Sequence, residues 1–305
     1  MLNDGIYFNL DEKEYHALNR LDYTGMKELL KSPIEYWTNS NLNPLKEEEE
    51  KKCYDEGKAF HTYILEGKKK FADTYAPIPP SIDMLSKNST AFKNWCNLQH
   101  KKVLSRKVYN NLSRIVNYLT YKGQLFDTDI FKDGYPEVSI LWTDNGIQKK
   151  ARIDYLKQNR IIDLKTVIKR KESSFDDHIR QYFFSAKIYM QLLFYKEALR
   201  FALENKLPVV GDSNQKKFVK NIDIENLLLA VVFINRELPQ FRIKFFIESE
   251  CPDLWKLGKK QIEKAESLYK ENFENNKKEI WLETPDTDLT FKDVDFPQSF
   301  FEILT

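Results

Sequence analysis

The chain has 305 residues, of which 42% are apolar and 14% aromatic, so it is long enough to bury one large core or two modest ones. No apolar run approaches the roughly 20 residues that span a bilayer, and the N-terminus lacks the basic-then-apolar pattern of a secretion signal. We therefore expect a cytoplasmic protein. The three cysteines, Cys53, Cys96 and Cys251, lie far apart, which argues against a disulfide framework and against zinc or iron–sulfur ligation.

The net charge is only +2, but the charges are unevenly distributed. Residues 149–171 contain nine Lys or Arg residues against two Asp residues. A basic segment around two isolated carboxylates suits a polyanionic ligand that also needs a metal ion. A solvated charged surface is the alternative explanation.

The predicted elements begin with helices and continue with strands. The helices are one capped by Thr24 and stopped by Pro33, one over 55–67 that ends at Gly67, and a helical stretch over 88–121. Then come strands over 137–143, 148–156 and 160–167, a long helix over about 175–205, strands over 227–235 and 241–247, and a helix near 253–275. This order predicts an α/β fold, with a helical N-terminal part over 1–125, an α/β core over 126–275 and a wrapping tail over 276–305.

The pairing of the three central strands predicts where their carboxylates lie. Asn145-Gly146 is a strong signal for a two-residue hairpin turn, and that turn places Glu137 opposite Asp154. If Gln158-Asn159 forms a second such turn, Asp163 also falls opposite Asp154. Like charges that face each other directly destabilise a sheet. A row of three carboxylates on one face therefore indicates a site for a hard divalent cation such as Mg²⁺ rather than packing.

Two basic residues share this predicted face, Lys165 beyond Asp163 and Arg152 before Asp154. A metal held by the aspartates would polarise a phosphoryl oxygen and activate a water, and Lys165 could orient that water and stabilise negative charge. The alternative makes Asp163 and Lys165 an exposed ion pair on an edge strand, but the flanking apolar residues argue for burial. Arg152 is either a phosphate contact or a salt-bridge partner of Glu137 or Asp154.

These residues resemble the PD-(D/E)xK nuclease motif. Asp154 is followed by Asp163-Leu164-Lys165, with Asp-x-Lys in place of the commoner Glu-x-Lys and Ile153 where the proline would stand. Residues 57–66, GKAFHTYILE, resemble the helical motif that carries a metal-binding histidine in RecB-type and RecE-type nucleases. Further similarities to RecE-type exonuclease VIII are Glu137 as an extra glutamate, Gln191 and Tyr195 as a QxxxY motif, and residues 15–37 as the opening segment.

The resemblance implies a PD-(D/E)xK (restriction-endonuclease-like) core with a three-strand meander, flanking helices and a helical N-terminal extension. It implies a Mg²⁺-dependent exodeoxyribonuclease, for which Mn²⁺ can substitute, that digests linear duplex DNA from 5′ to 3′ in phage or prophage recombination. The implied catalytic residues are Glu137, Asp154, Asp163 and Lys165, the metal ligands His61, Glu137, Asp154 and Asp163, and the DNA contacts Arg152, Gln191 and Tyr195.

The implied partners are double-stranded DNA ends, a single-strand annealing recombination protein and further copies of the chain in a ring. Two other functions remain open. A structure-specific or sequence-specific endonuclease could use the same site, and a DNA-binding recombination accessory could keep the fold without turnover. The intact carboxylates and Lys165 argue against the accessory, because a non-catalytic scaffold has no need to oppose like charges.

Overall fold

The computed structural model describes residues 2–46, 56–121, 130–168 and 173–282. The N-terminal elements are β1 (Gly5–Tyr7), α1 (Glu12–Ala17), α2 (Tyr23–Leu29), α3 (Pro33–Asn39), α4 (Glu56–His61), a π-helical turn (Thr62–Glu66), α5 (Gly67–Thr74), β2 (Tyr75–Pro77), α6 (Pro80–Asp83), α7 (Thr90–Asn97), β3 (Lys102–Leu104) and α8 (Arg106–Tyr121). The later elements are β4 (Gly134–Asp144), β5 (Ile147–Lys157), β6 (Arg160–Val167), α9 (Phe175–Ser185), α10 (Ile188–Glu204), β7 (Val209–Val210), α11 (Ser213–Lys220), β8 (Leu228–Asn235), β9 (Phe241–Phe246) and α12 (Pro252–Asn276).

A seven-stranded mixed sheet forms the centre of the molecule, in the order β7-β1-β4-β5-β6-β8-β9. The β1–β7 and β6–β8 pairs are parallel, and the other neighbours are antiparallel. The predicted α/β fold with a β4-β5-β6 meander is confirmed. Strand β1 comes from the predicted N-terminal part, yet it pairs with β4. The segments 1–125 and 126–275 therefore contribute to one sheet.

Helices cover both faces of this sheet and bury two separate apolar clusters. The larger cluster lies beneath α10, where Trp142 of β4 packs against Phe194 with ring centroids 5.2 Å apart. The second lies on the other face, where Phe60 of α4 and Leu112 of α8 meet Ile162 of β6. Strand β6 is buried on both faces, as expected for a strand with a parallel neighbour. None of the described helices combines the length and apolarity that crossing a bilayer requires.

Several predicted helices have different limits in the structure. Helix α2 is capped by Asp22 rather than Thr24, because the Asp22 carboxylate accepts a hydrogen bond from the Gly25 N–H at 2.8 Å. The stretch 88–121 contains two helices separated by the short strand β3. The long helix predicted over 175–205 is broken at Lys187, which has a φ of 54°. The Tyr23 hydroxyl donates to the carbonyls of Ala186 and Lys187, so a hydrogen bond from α2 stabilises this break.

The first residues of the predicted C-terminal tail pack against the helices. Trp281 is fully buried, with ring centroids 5.2 Å from Tyr36 and 5.7 Å from Tyr269. The Trp37 Nε1–H donates to the Lys278 carbonyl at 3.1 Å. The tail thus covers α3 and α12 as far as residue 282, and its remaining part, 283–305, lies outside the described residues.

Candidate metal centre

Both predicted two-residue turns of the meander are present. Asp144 pairs with Ile147 around the first turn, where Asn145 and Gly146 have φ values of 50° and 81°. Lys157 pairs with Arg160 around Gln158-Asn159. These turns fix the register of the three strands, and they confirm the pairing on which the carboxylate row was based.

Glu137 and Asp154 lie opposite each other at a shared irregularity. The pairs Pro136↔Tyr155 and Val138↔Ile153 flank them. Glu137 has a φ of 53°, in the left-handed region that non-glycine residues seldom adopt. The alternation of side chains between the two faces of the sheet breaks at this level in both strands. Tyr135 and Val138 of β4, and Ile153 and Leu156 of β5, are three positions apart, yet all four belong to the core beneath α10. The break leaves both acidic side chains lining a cleft on the other side of the sheet.

Strands β5 and β6 separate at this level. Their last backbone pair is Tyr155↔Ile162. At the residue of β5 that precedes this pair, the Asp154 Oδ2 atom accepts a hydrogen bond from the Leu164 N–H at 2.8 Å. The carboxylate thus takes the place of a backbone acceptor and is held at the opening between the two strands.

His61, the last residue of α4, completes a group of three possible metal ligands. One nitrogen of His61 and one oxygen each of Glu137 and Asp154 all lie within 4.8 Å of one another. The distance from His61 Nδ1 to Asp154 Oδ2 is 3.8 Å. Imidazole nitrogen and carboxylate oxygen are donors that divalent cations accept together in proteins.

Asp163 stands beside this group rather than within it. Its side chain is fully buried, and its Oδ1 atom accepts a hydrogen bond from Lys165 Nζ at 2.7 Å. Its Oδ2 atom is buried without a hydrogen-bond partner in the described part of the chain. An unpaired buried carboxylate oxygen is costly. The donor set and this orphaned oxygen therefore fit a divalent cation held by His61, Glu137 and Asp154, with Asp163 adjoining. The expected single row of three carboxylates is replaced by this arrangement.

The electrostatics of the centre favour a bound cation. Burial and the neighbouring Asp154 raise the pKa of Glu137 to about 8, although Arg152 partly offsets them. Burial also raises the pKa values of Asp154 and Asp163, against the opposing effect of Lys165. Burial alone would lower the pKa of Lys165, but Asp163 and Asp154 outweigh it and the pKa is raised. Lys165 therefore stays charged while the carboxylates resist ionising together.

Comparison with known proteins identifies the family. The family model of a PDDEXK-like domain of unknown function (DUF3799) matches residues 23–222, about two thirds of the chain. The chain belongs to this PDDEXK-like family. A solved structure from Eubacterium rectale, described as a "Putative exonuclease", has a TM-score of 0.52 and 13% sequence identity, over 97% of this chain and 98% of that chain. This likeness supports the same fold. No curated protein sequence matches the chain.

The PDDEXK-like match includes every residue of the predicted site but does not identify the RecE type. For Arg152, the structure shows one of the two alternatives. Its Nε–H donates to Glu137 Oε2 at 2.8 Å and its Nη2–H to the Leu10 carbonyl at 3.1 Å. Arg152 is thus a salt-bridge partner that holds Glu137 in the left-handed turn.

Gln191 and Tyr195 of the PDDEXK-like domain lie beneath the site. Both side chains are buried, and the Gln191 Nε2–H donates to the Tyr195 hydroxyl oxygen at 2.7 Å. Burial, and then the nearby Asp154 and Asp163, raise the pKa of Tyr195. The expected contacts of Gln191 and Tyr195 with DNA would require these buried side chains to become exposed, and they stay a prediction.

In the described part of the basic segment, 149–168, no Lys or Arg side chain is fully exposed. Lys149 is fully buried and ion-paired with three carboxylates, at 3.0 Å to Asp144, 3.6 Å to Glu197, and with Glu266. Lys150 donates to backbone carbonyls of the segment before α2. Residues 169–171 lie outside the described part of the chain. Lys149 and Lys150 are therefore structural, because their ammonium groups are paired inside the fold.

Apart from Arg152, which is ion-paired with Glu137, the positive charge that lines the cleft comes from lysines that the sequence patterns did not single out. The cleft has a volume of about 940 Å³, and the N-terminal segment through α1 lines it together with α4, the π-helical turn and α5. Its basic lining residues are Lys13, Lys58, Lys70, Lys102 and Arg152. The lysine run at 68–70 was the one local signal. The other lysines are brought together only by the fold.

Proposed function

We propose that this PDDEXK-like protein is a Mg²⁺-dependent exodeoxyribonuclease that hydrolyses the phosphodiester bonds of linear duplex DNA. The observation that supports it is the approach of His61, Glu137 and Asp154 to within 4.8 Å of one another, next to an aspartate–lysine pair. A divalent cation at such a site polarises a phosphoryl oxygen and lowers the pKa of a bound water. Mn²⁺ can substitute for Mg²⁺, because both accept carboxylate oxygens as ligands.

The residues of the chain have separate roles in this reaction. His61, Glu137 and Asp154 would hold the cation, and Asp163, beside this group, accepts a hydrogen bond from the ammonium group of Lys165. Lys165 stabilises the negative charge that develops on the phosphoryl oxygens as the water oxygen bonds to phosphorus and the leaving oxygen departs. Its raised pKa keeps it charged in the range where the reaction would run. Arg152 fixes Glu137 through their 2.8 Å ion pair.

Substrate binding in this proposal is independent of base sequence. Lysines in the cleft bind phosphates of any sequence, and such contacts weaken as salt rises. The 5′ to 3′ polarity, the prophage recombination role, the single-strand annealing partner, the homo-oligomeric ring and the cytoplasmic location are proposed on the RecE-type resemblance alone. The proposed nuclease activity does not depend on any of these further properties.

End-labelled linear duplex and covalently closed circular duplex separate the candidate functions. Each is incubated with the full chain in Mg²⁺ or in EDTA, beside an identically purified Asp154→Asn variant as the control for contaminating nucleases. We expect Mg²⁺-dependent loss of the linear duplex from its ends, resistance of the closed circle and no cleavage by the variant. Efficient cutting of the circle would instead support an endonuclease with the same site. No cleavage of either DNA would support the accessory protein.

A further inference from the structure

The π-helical turn Thr62–Glu66 directly follows His61. In an α-helix, the residue five positions after His61 would be rotated away from it by roughly 140° around the axis. The i→i+5 spacing of a π-helix brings that residue back over the first one. Glu66 is the residue in question, and it lines the same cleft as His61.

Packing explains the buried side of this turn but not Glu66. Thr62, Ile64 and Leu65 are buried, and the two apolar residues join the cluster of α4 and α8. Glu66 is exposed, and it forms no ion pair within the described ranges of the chain. π-helical turns are rare compared with regular α-helix, and those that occur are frequently found at functional sites. Packing therefore does not explain why an exposed carboxylate stands in the cleft one π-helical turn after His61.

Glu66 faces the same space as the candidate metal centre, because His61, Glu66, Glu137 and Asp154 all line one cleft. Glu66 nevertheless lies outside the group of three ligand atoms within 4.8 Å of one another. This is the position of a carboxylate that contacts the water shell of a cation, since Mg²⁺ keeps several waters in protein sites.

We infer that Glu66 is a positioning residue of the metal centre, turned onto the face of His61 by the π-helical turn, and that its carboxylate accepts hydrogen bonds from water at the cleft side of the cation. The inference rests on the proposed function, because it requires the cation. It assigns a role to the turn as well as to the residue. The backbone departs from α-helix where an acceptor must be brought back over the histidine.

Calorimetric titration of the DNA-free full chain with Mn²⁺ tests this role without a cleavage assay. The variants are Glu66→Gln, which removes the charge, and Glu66→Asp, which keeps the charge but withdraws the carboxylate by one methylene. The matched control is Asp73→Asn, at an exposed position of α5 that does not line the cleft. Each variant is first compared with the wild type by thermal unfolding in EDTA, where an exposed, unpaired residue should have little effect.

We expect Glu66→Gln and Glu66→Asp each to weaken Mn²⁺ binding by about 10-fold, the range for residues that orient a metal site from its second layer, and Asp73→Asn to bind like the wild type. Unchanged affinity in Glu66→Gln overturns the inference. So does wild-type affinity in Glu66→Asp, or an equal loss in Asp73→Asn, because either would reduce Glu66 to a remote charge. Failure of the wild type itself to bind Mn²⁺ would instead overturn the proposed function.

Discussion

Replacing Glu137 with glutamine should make the metal-free protein more stable at pH 8. The pKa of Glu137 is raised from 4.5 to about 8. Between these values the folded protein keeps a proton that the unfolded chain has released, so stability is full below pH 4.5 and falls as pH rises to 8. At about 1.36 kcal/mol per pKa unit, the full loss is at most about 5 kcal/mol.

The real effect will be smaller than this limit. A quarter of the Glu137 side chain is exposed, and the carboxylate accepts a hydrogen bond from Arg152 that glutamine can also accept. We therefore expect Glu137→Gln to gain about 2 kcal/mol at pH 8 and little below pH 5. The variant keeps the shape of the side chain and removes only the charge that opposes Asp154.

Urea unfolding in EDTA at pH 5 and pH 8 measures this difference. The wild type should lose more stability than the variant between the two pH values, and saturating Mn²⁺ should reverse the order by stabilising the wild type more. Glu35→Gln is the control, because Glu35 has an exposed ion pair with Lys31, at 3.5 Å, away from the cleft. A Glu137→Gln variant less stable than the wild type at pH 8 in EDTA would refute the reasoning. Glu137 would then be a structural partner of Arg152.

Three further predictions concern residues on both sides of the centre. Asp154→Asn and Asp163→Asn should each abolish Mg²⁺-dependent cleavage while circular dichroism shows an unchanged fold, and near-normal cleavage by either variant would contradict its part in the metal site. Lys165→Ala should lose turnover but still bind DNA and Mn²⁺, because its role is in the transition state; an equal loss of DNA affinity would make it an ordinary phosphate contact. Lys149→Ala should cost about 3 kcal/mol in urea unfolding, because it leaves three carboxylates without their buried cation, whereas Mn²⁺ affinity should persist.

Local signals were sufficient to predict the meander and the register of its three strands. Asn145-Gly146 favours a hairpin by its own conformational preference, and a two-residue turn fixes every pair that follows. The flanking apolar residues of β6 indicated that Asp163 is buried, as the structure shows. Neither conclusion depends on contacts between distant parts of the chain.

The errors arise where distant contacts decide. Strands β1 and β7 have three and two residues, too few for a periodic pattern, and they exist because each pairs with a remote partner. Lys149 appeared as one charge of a basic segment, but acidic residues on β4, α10 and α12 enclose it. The left-handed backbone of Glu137 could not be predicted from a regular alternation of apolar and polar residues. The alternation is broken at Glu137 and Asp154, and this break is what places both side chains in the cleft.

A crystal structure of the full chain grown with Mn²⁺, with anomalous diffraction recorded at the manganese edge, tests the central claim most directly. We expect an anomalous peak between His61 and the carboxylates of Glu137 and Asp154, with Asp163 beside it, and the loss of that peak in Asp154→Asn crystals. Absence of a peak at this position in fully ordered wild-type crystals at millimolar Mn²⁺, or a peak bound only elsewhere on the protein, would contradict it.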